Sequence, residues 1–372
     1  MGKLSRLYVA ACVIAMNVLL LLAASNCAAL YYNQESDRIE DRSPHIAEIL
    51  ASQPELLKLI YPHLSPDEVE AVLRETWNLE PEYELFTQFK EQPFKGQFVN
   101  VNEQGFRRVK DQGPWPPDPA QTTVFMFGGS TTFGYGIADH QTVPSHLQEL
   151  LRAAASGGED IRVYNWGRGG YYSSQERALF CKLLLEGHAP DVAVFMDGLN
   201  DFGSFWREQT YRDTFHRLMD AHAGDSFVSA ELLRSLPLAK LFEGTLQPQA
   251  VNDERVTPEF VVDRYLANKK ILEAVCAAHG VRPLFVWQPV QHYEYHPPAT
   301  KMVVDVQELG LRSYTLMKER REAGQTGADF LWLADLQARP EHRGGFIYVD
   351  AFHYTSDFAR VIAQAIAARL AQ

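Results

Sequence analysis

The stretch Thr122-Thr123-Val124-Phe125-Met126-Phe127-Gly128-Gly129-Ser130-Thr131-Thr132-Phe133-Gly134 decides the fold. Its run up to Phe127 suits a strand in the middle of a parallel sheet, covered on both faces. The glycines that follow let the chain turn sharply, and they present a serine hydroxyl where the strand passes into a helix. Working outward, three similar runs recur with helical stretches between them: Ile161-Arg162-Val163-Tyr164-Asn165, Val192-Ala193-Val194-Phe195-Met196 and Pro283-Leu284-Phe285-Val286-Trp287. A weaker run, Phe330-Leu331-Trp332-Leu333-Ala334, precedes a final helix from about Ser356 to Leu370. Strands alternating with helices imply an open α/β sheet with helices on both sides. Such sheets bind ligands beyond the carboxyl ends of their strands.

The residues just after each run are therefore the candidates. Ser130 follows the first, and no GxxxxGK[ST] is present to make that turn a phosphate loop. After the second comes Trp166-Gly167-Arg168-Gly169-Gly170-Tyr171, whose glycines permit close approach to a ligand without forming GxGxxG. The third is followed by Asp197-Gly198-Leu199-Asn200-Asp201, where a side-chain amide can donate to an oxyanion or cap the next helix. Near the carboxyl end, Asp350 and His353 are three apart, a spacing that lets a carboxylate fix the imidazole tautomer. Taken singly, each segment also fits a structural role: an N-cap serine, a glycine turn, a capping amide, a buried ion pair.

In residues and in order, the four segments resemble the SGNH (GDSL-like) hydrolase superfamily, over roughly residues 120 to 202 and 262 to 370. The resemblance implies a three-layer αβα sandwich with a mostly parallel five-stranded sheet. It implies Ser130 as nucleophile, His353 as general base and Asp350 as the residue orienting it. The N–H groups of Ser130 and Gly170 and the Asn200 amide would form the oxyanion hole. The family's GDS reads Gly128-Gly129-Ser130 here, so its aspartate is absent. The implied activity is that of a serine esterase or deacetylase without cofactor or metal, acting on a small ester or acylated, especially acetylated, carbohydrate. An O-acyltransferase to a cell-envelope or exported glycan would use the same triad, and a non-catalytic glycan- or partner-binding scaffold is a further alternative.

Charge and flanking segments narrow the setting. With 35 Lys plus Arg against 47 Asp plus Glu, the net charge of −12 argues against nucleic-acid binding. Lys3 and Arg6 precede an apolar run from Leu7 to Ala24, broken only by Asn17, which reads as a signal anchor or signal peptide over 1–32. By the positive-inside rule an anchor places the rest outside the cytoplasm, periplasmic or at the cell surface; cleavage and secretion is the alternative. Residues 33–95 read as a helical spacer, with Ser65-Pro66-Asp67-Glu68 opening one helix. The hydrolase-like domain then spans 96–372. A long insertion at about 203–260, rich in aromatic and charged residues, should overhang the site as a lid. Trp166, Phe205, Trp206 and Gln288 are the expected substrate-binding residues, and Gln291 and the His292–His296 stretch would line the same rim. No zinc motif surrounds those histidines, and Cys181 and Cys276 fall in helical patterns as small core residues.

Overall fold

The structure, a computed structural model, describes residues 2–39, 54–155, 159–202, 257–296 and 308–372. The chain divides into two compact units. In the first, the described element is helix α1 (Lys3–Ile39). Its stretch Tyr8–Ala29, 22 residues, is long and apolar enough to cross a membrane. At 1.5 Å per residue it extends about 33 Å, close to the thickness of a bilayer's hydrocarbon core.

The second unit opens with α2 (Pro54–Ile60) and α3 (Pro66–Trp77). Ser65 caps α3 through the expected reciprocal box: its N–H donates to Glu68 Oε2 at 2.8 Å and its Oγ accepts the Glu68 N–H at 3.3 Å. Two antiparallel pairs follow, β1 (Pro81–Glu84) with β2 (Gln88–Glu91), and β3 (Phe94–Lys95) with β4 (Asn100–Val101). The main sheet holds β5 (Thr122–Gly128), β6 (Ile161–Gly167), β7 (Val192–Asp197), β8 (Arg282–Trp287) and β9 (Phe330–Trp332). All neighbours are parallel, in the order β6-β5-β7-β8-β9. Between them run α4 (Ser130–Phe133), α5 (Val143–Ala154), α6 (Ser173–Leu185), α7 (Pro258–His279) and α8 (Glu308–Glu322), and α9 (Ser356–Leu370) closes the chain.

Side-chain alternation along the strands builds the two layers of helices. Val124, Met126, Val194, Met196, Leu284 and Val286 face one core, with Val143 and Leu147 of α5 and Phe358, Ile362 and Ile366 of α9. Phe125, Phe127, Phe195 and Phe285 face the opposite core, with Leu179 and Phe180 of α6 and Leu272 and Cys276 of α7. Because strand order reverses between β6 and β7 on either side of β5, the crevice of the sheet lies at the carboxyl ends of β5 and β7. That is where Ser130 and Asn200 stand.

The structure differs from the sequence reading at residues 54–95, which are neither wholly helical nor a separate spacer. Ile60, Tyr61, Val69, Val72 and Leu73 pack into the same core as α5 and α9. The expected lid, apart from residues 257–260, lies outside the described residues.

One buried cation ties the outer segments to the sheet. Arg107, with no exposed surface, donates to the carbonyls of Phe133 (3.0 Å), Gly134 (2.6 Å) and Ile137 (2.7 Å) and pairs with Asp139 at 2.9 Å. Its own N–H donates to Asn165 O on the outer edge of β6 at 3.0 Å. Removing one partner of a buried pair leaves the other charge uncompensated. Arg107→Met should therefore lose about 3–5 kcal/mol in urea unfolding, and Asp139→Asn less, because the carbonyls keep their donor.

Candidate active site

Ser130 is the first residue of α4, immediately beyond β5, and it is partly exposed. Its Oγ lies 2.8 Å from Nε2 of His353. On the other side of the ring, Nδ1 lies 2.7 Å from Asp350 Oδ2 and 2.9 Å from Oδ1. Asp350 is held by its own loop, accepting the N–H groups of Phe352 (2.8 Å) and His353 (2.9 Å). A carboxylate at Nδ1 keeps the ring proton there and turns the Nε2 lone pair to the serine hydroxyl. Burial by itself would raise the Asp350 pKa, but the His353 charge and these N–H donors outweigh it and hold the carboxylate below its ordinary value.

The imidazole, 3% exposed, is walled by two rings. Tyr135 stacks on it at 5.3 Å and 22°, and Trp77, the last residue of α3, meets it edge-on at 5.3 Å and 76°. Neither aromatic was expected from sequence. Trp77 sits in the segment read as a spacer, and Tyr135 follows the turn at Gly134 with no pattern to mark it.

Opposite His353, the second and third blocks meet. Gly170 has φ of +76°, a backbone conformation that favours glycine. Among the described residues, no acceptor within the protein takes the N–H of Ser130 or of Gly170. Asn200 is 5% exposed, and its Nδ2 donates to Tyr171 O at 2.7 Å, which fixes the amide and leaves it a second hydrogen. The missing aspartate of the first block has a local counterpart here. A Cβ on Gly129 would lie 2.2 Å from Asn200 Nδ2, so a side chain at 129 would displace the amide.

Two residues expected to touch substrate are instead part of the core. Trp166 is 1% exposed and packs with Phe106, Trp115 and Phe125, because it pairs in register with Phe127 and shares that strand face. Gln288 is also 1% exposed; its Oε1 accepts from Thr131 Oγ1 at 2.7 Å and Tyr354 OH at 2.9 Å. It thereby joins the helix carrying Ser130 to the loop carrying His353. Gln291 donates to Asp350 O at 2.6 Å. His292 is buried against Phe202 and Tyr314, which lowers its pKa to about 4, while His296 is exposed. Phe205 and Trp206 lie outside the described residues.

Beneath Asn200 lie three buried carboxyl groups, Glu176, Asp197 and Asp201. Asp201 accepts from Ser173 Oγ at 2.6 Å, and Asn268 donates to the same Oγ at 2.9 Å, so the start of α6 is pinned to the turn after β7. Burial raises all three above ordinary carboxylate values; the neighbouring carboxylates add to the rise at Glu176 and Asp197, while Arg264 and the donors from Ser173 and Gly198 oppose it at Asp201.

No family model matches the sequence, and no curated protein matches it. Solved structures similar to the chain include a lipolytic protein of the G-D-S-L family from Desulfitobacterium hafniense DCB-2, with 12% identity, 67% of this chain and 99% of that chain covered, and a TM-score of 0.37. Another is the acetyl xylan esterase AlAXEase, at 15% identity, 66% and 97% coverage and TM-score 0.37. A third is Axe2, an acetylxylan esterase from Geobacillus stearothermophilus, at 14%, 68%, 94% and 0.40. The five-stranded parallel sheet with helices on both faces is the three-layer αβα arrangement expected from the sequence.

Two outcomes follow from the buried polar groups. A carboxyl whose pKa is raised on folding stabilises fully below its unfolded pKa of about 4, and that contribution is lost as pH rises through the folded value. The melting temperature of Glu176→Gln should accordingly fall less than that of the parent between acid and alkaline pH; parallel curves would exclude a raised Glu176 pKa. Gln288→Leu, which unties α4 from the His353 loop, should fold yet lower kcat with KM little changed in steady-state ester assays.

Proposed function

We propose that this chain is a serine ester hydrolase of the SGNH type, working through an acyl-Ser130 intermediate on small esters, acylated sugars above all, outside the cytoplasm. The observation that carries the reading is the 2.8 Å contact of Ser130 Oγ with His353 Nε2, with Asp350 2.7 Å from Nδ1. His353 takes the hydroxyl proton as Oγ attacks the ester carbonyl. Charge moves to the carbonyl oxygen, where the N–H groups of Ser130 and Gly170 and the Asn200 amide are the donors. The adduct collapses as Nε2–H passes its proton to the leaving alkoxide and the C–O bond breaks, leaving the acyl group on Ser130. Water then repeats the sequence: it gives a proton to Nε2, attacks the acyl carbon, and Ser130 Oγ leaves with that proton. Asp350, kept ionised by its donors, steadies the imidazolium in both halves.

Lys3 and Arg6 precede the apolar stretch of α1, and the positive-inside rule orients such a helix with the remainder of the chain outside. Esters met there include acylated glycans of the cell envelope or exported polysaccharide.

The full-length chain in detergent should be labelled by a fluorophosphonate, and Ser130→Ala should abolish the label. Asn200→Ala should keep the parent's circular-dichroism spectrum and lose about 10²–10³-fold in turnover of an aryl acetate. A parent that takes no label, or a label that persists in Ser130→Ala, overturns the reading in favour of a binding scaffold.

A further inference from the structure

We infer that Glu176 is a positioning residue for the oxyanion hole: it shares one proton with Asp197, and loss of that proton at alkaline pH loosens the hole. The inference rests on the acyl-serine reading above. Two of the three oxyanion donors come from neighbouring elements. Gly170 stands three residues before α6 begins at Ser173, and Asn200 three residues after β7 ends at Asp197. Whatever fastens the start of α6 to the end of β7 therefore sets the spacing of those donors.

Two buried contacts do so. In one, Ser173 Oγ donates to Asp201 at 2.6 Å, and Asp201 also accepts the Gly198 N–H at 3.3 Å. The other joins the carboxyl groups of Asp197 and of Glu176, in the first turn of α6. Glu176 is 1% exposed and Asp197 4%. Among the described residues, no group other than Asp197 hydrogen-bonds to the carboxyl of Glu176, and the charges that face it, Asp197 and Asp201, are both negative. Carboxylates only accept, so the contact is a hydrogen bond only while one of the two groups keeps a proton. That proton belongs to the pair. No neighbour can replace it. From α7, Tyr265 and Arg264 face the cluster, and from α8 Tyr314 does. Arg264 acts on Asp201 and donates to its carbonyl at 2.6 Å, while burial keeps both tyrosines neutral. Asp329, which faces Tyr265, adds only negative charge. Once the proton passes to solvent, two buried like charges repel where a bond stood. The start of α6 then moves off the end of β7, and the Gly170 N–H and the Asn200 amide no longer converge.

The test is the pH profile of kcat on an aryl acetate, with spontaneous hydrolysis subtracted, using the full-length chain in detergent. The parent's kcat should fall about tenfold from neutral to alkaline pH with KM little changed, as expected of donors misaligned and not removed. Glu176→Gln, whose amide donates to Asp197 at every pH, should match the parent at neutral pH and hold that rate into the alkaline range. Glu176→Leu, with no proton to share, should show the lowered kcat already at neutral pH. An alkaline fall equal in the parent and Glu176→Gln, or no fall in the parent, overturns the inference and leaves the hydrolase reading intact. The proton can also be read without turnover. The infrared difference spectrum of parent minus Glu176→Gln at neutral pH should contain the C=O stretch of a neutral carboxyl group, and its absence overturns the inference whether or not the chain is active. A parent that takes no fluorophosphonate label and turns over no ester defeats the acyl-serine reading, and this inference with it.

Discussion

The guanidinium of Arg107 is the constraint on which the site's geometry depends. The chain leaving Ser130 must turn back within a few residues to start α5, and that turn leaves the carbonyls of Phe133, Gly134 and Ile137 pointing inward. Buried carbonyls without donors are costly. One planar cation with fixed forks satisfies all three and still reaches Asp139. Since the same residue's N–H bonds to Asn165 on β6, the turn after Ser130, the glycine block and the outer segment are placed by a single side chain and its backbone.

Around that anchor, Ser130, Asp350, His353 and Asn200 are positioned by buried polar contacts. Gln288 links the helix of Ser130 to Tyr354, the residue next to His353, and Gln291 holds the Asp350 carbonyl. Asp201 and Ser173 couple the Asn200 turn to the glycine block. These links leave from the ends of central strands, the stiffest part of an α/β domain. A site assembled this way needs little reorganisation when charge develops on a bound carbonyl, which is the usual source of stabilisation in such chemistry.

Much of this was legible in the sequence, and the limits have physical causes. The runs at 122–127, 161–165, 192–196 and 283–287 are strands of the sheet, because strands covered on both faces leave unbroken apolar runs. The closing helix begins and ends where its pattern does. Trp166, just past its apolar run, suggests a residue facing the crevice, but its parity with Tyr164 places it with Phe125 and Phe127. Gln288 was read as a rim residue since an amide at a strand end serves a ligand or a neighbour equally well. Arg107 and Tyr135 belong to no periodic pattern, and Trp77, four residues after Leu73 on the apolar stripe of α3, reads as an ordinary core residue; the roles of all three come from contacts far along the chain.

That long separation has a temporal side. Ser130 and His353 are 223 positions apart, and α9, which comes after the imidazole, packs on α5. Synthesis must run 223 residues past the hydroxyl before His353 exists to pair with it. A growing chain thus lacks the pair until His353 has been added, and a break between the two residues separates them while leaving Ser130 itself intact.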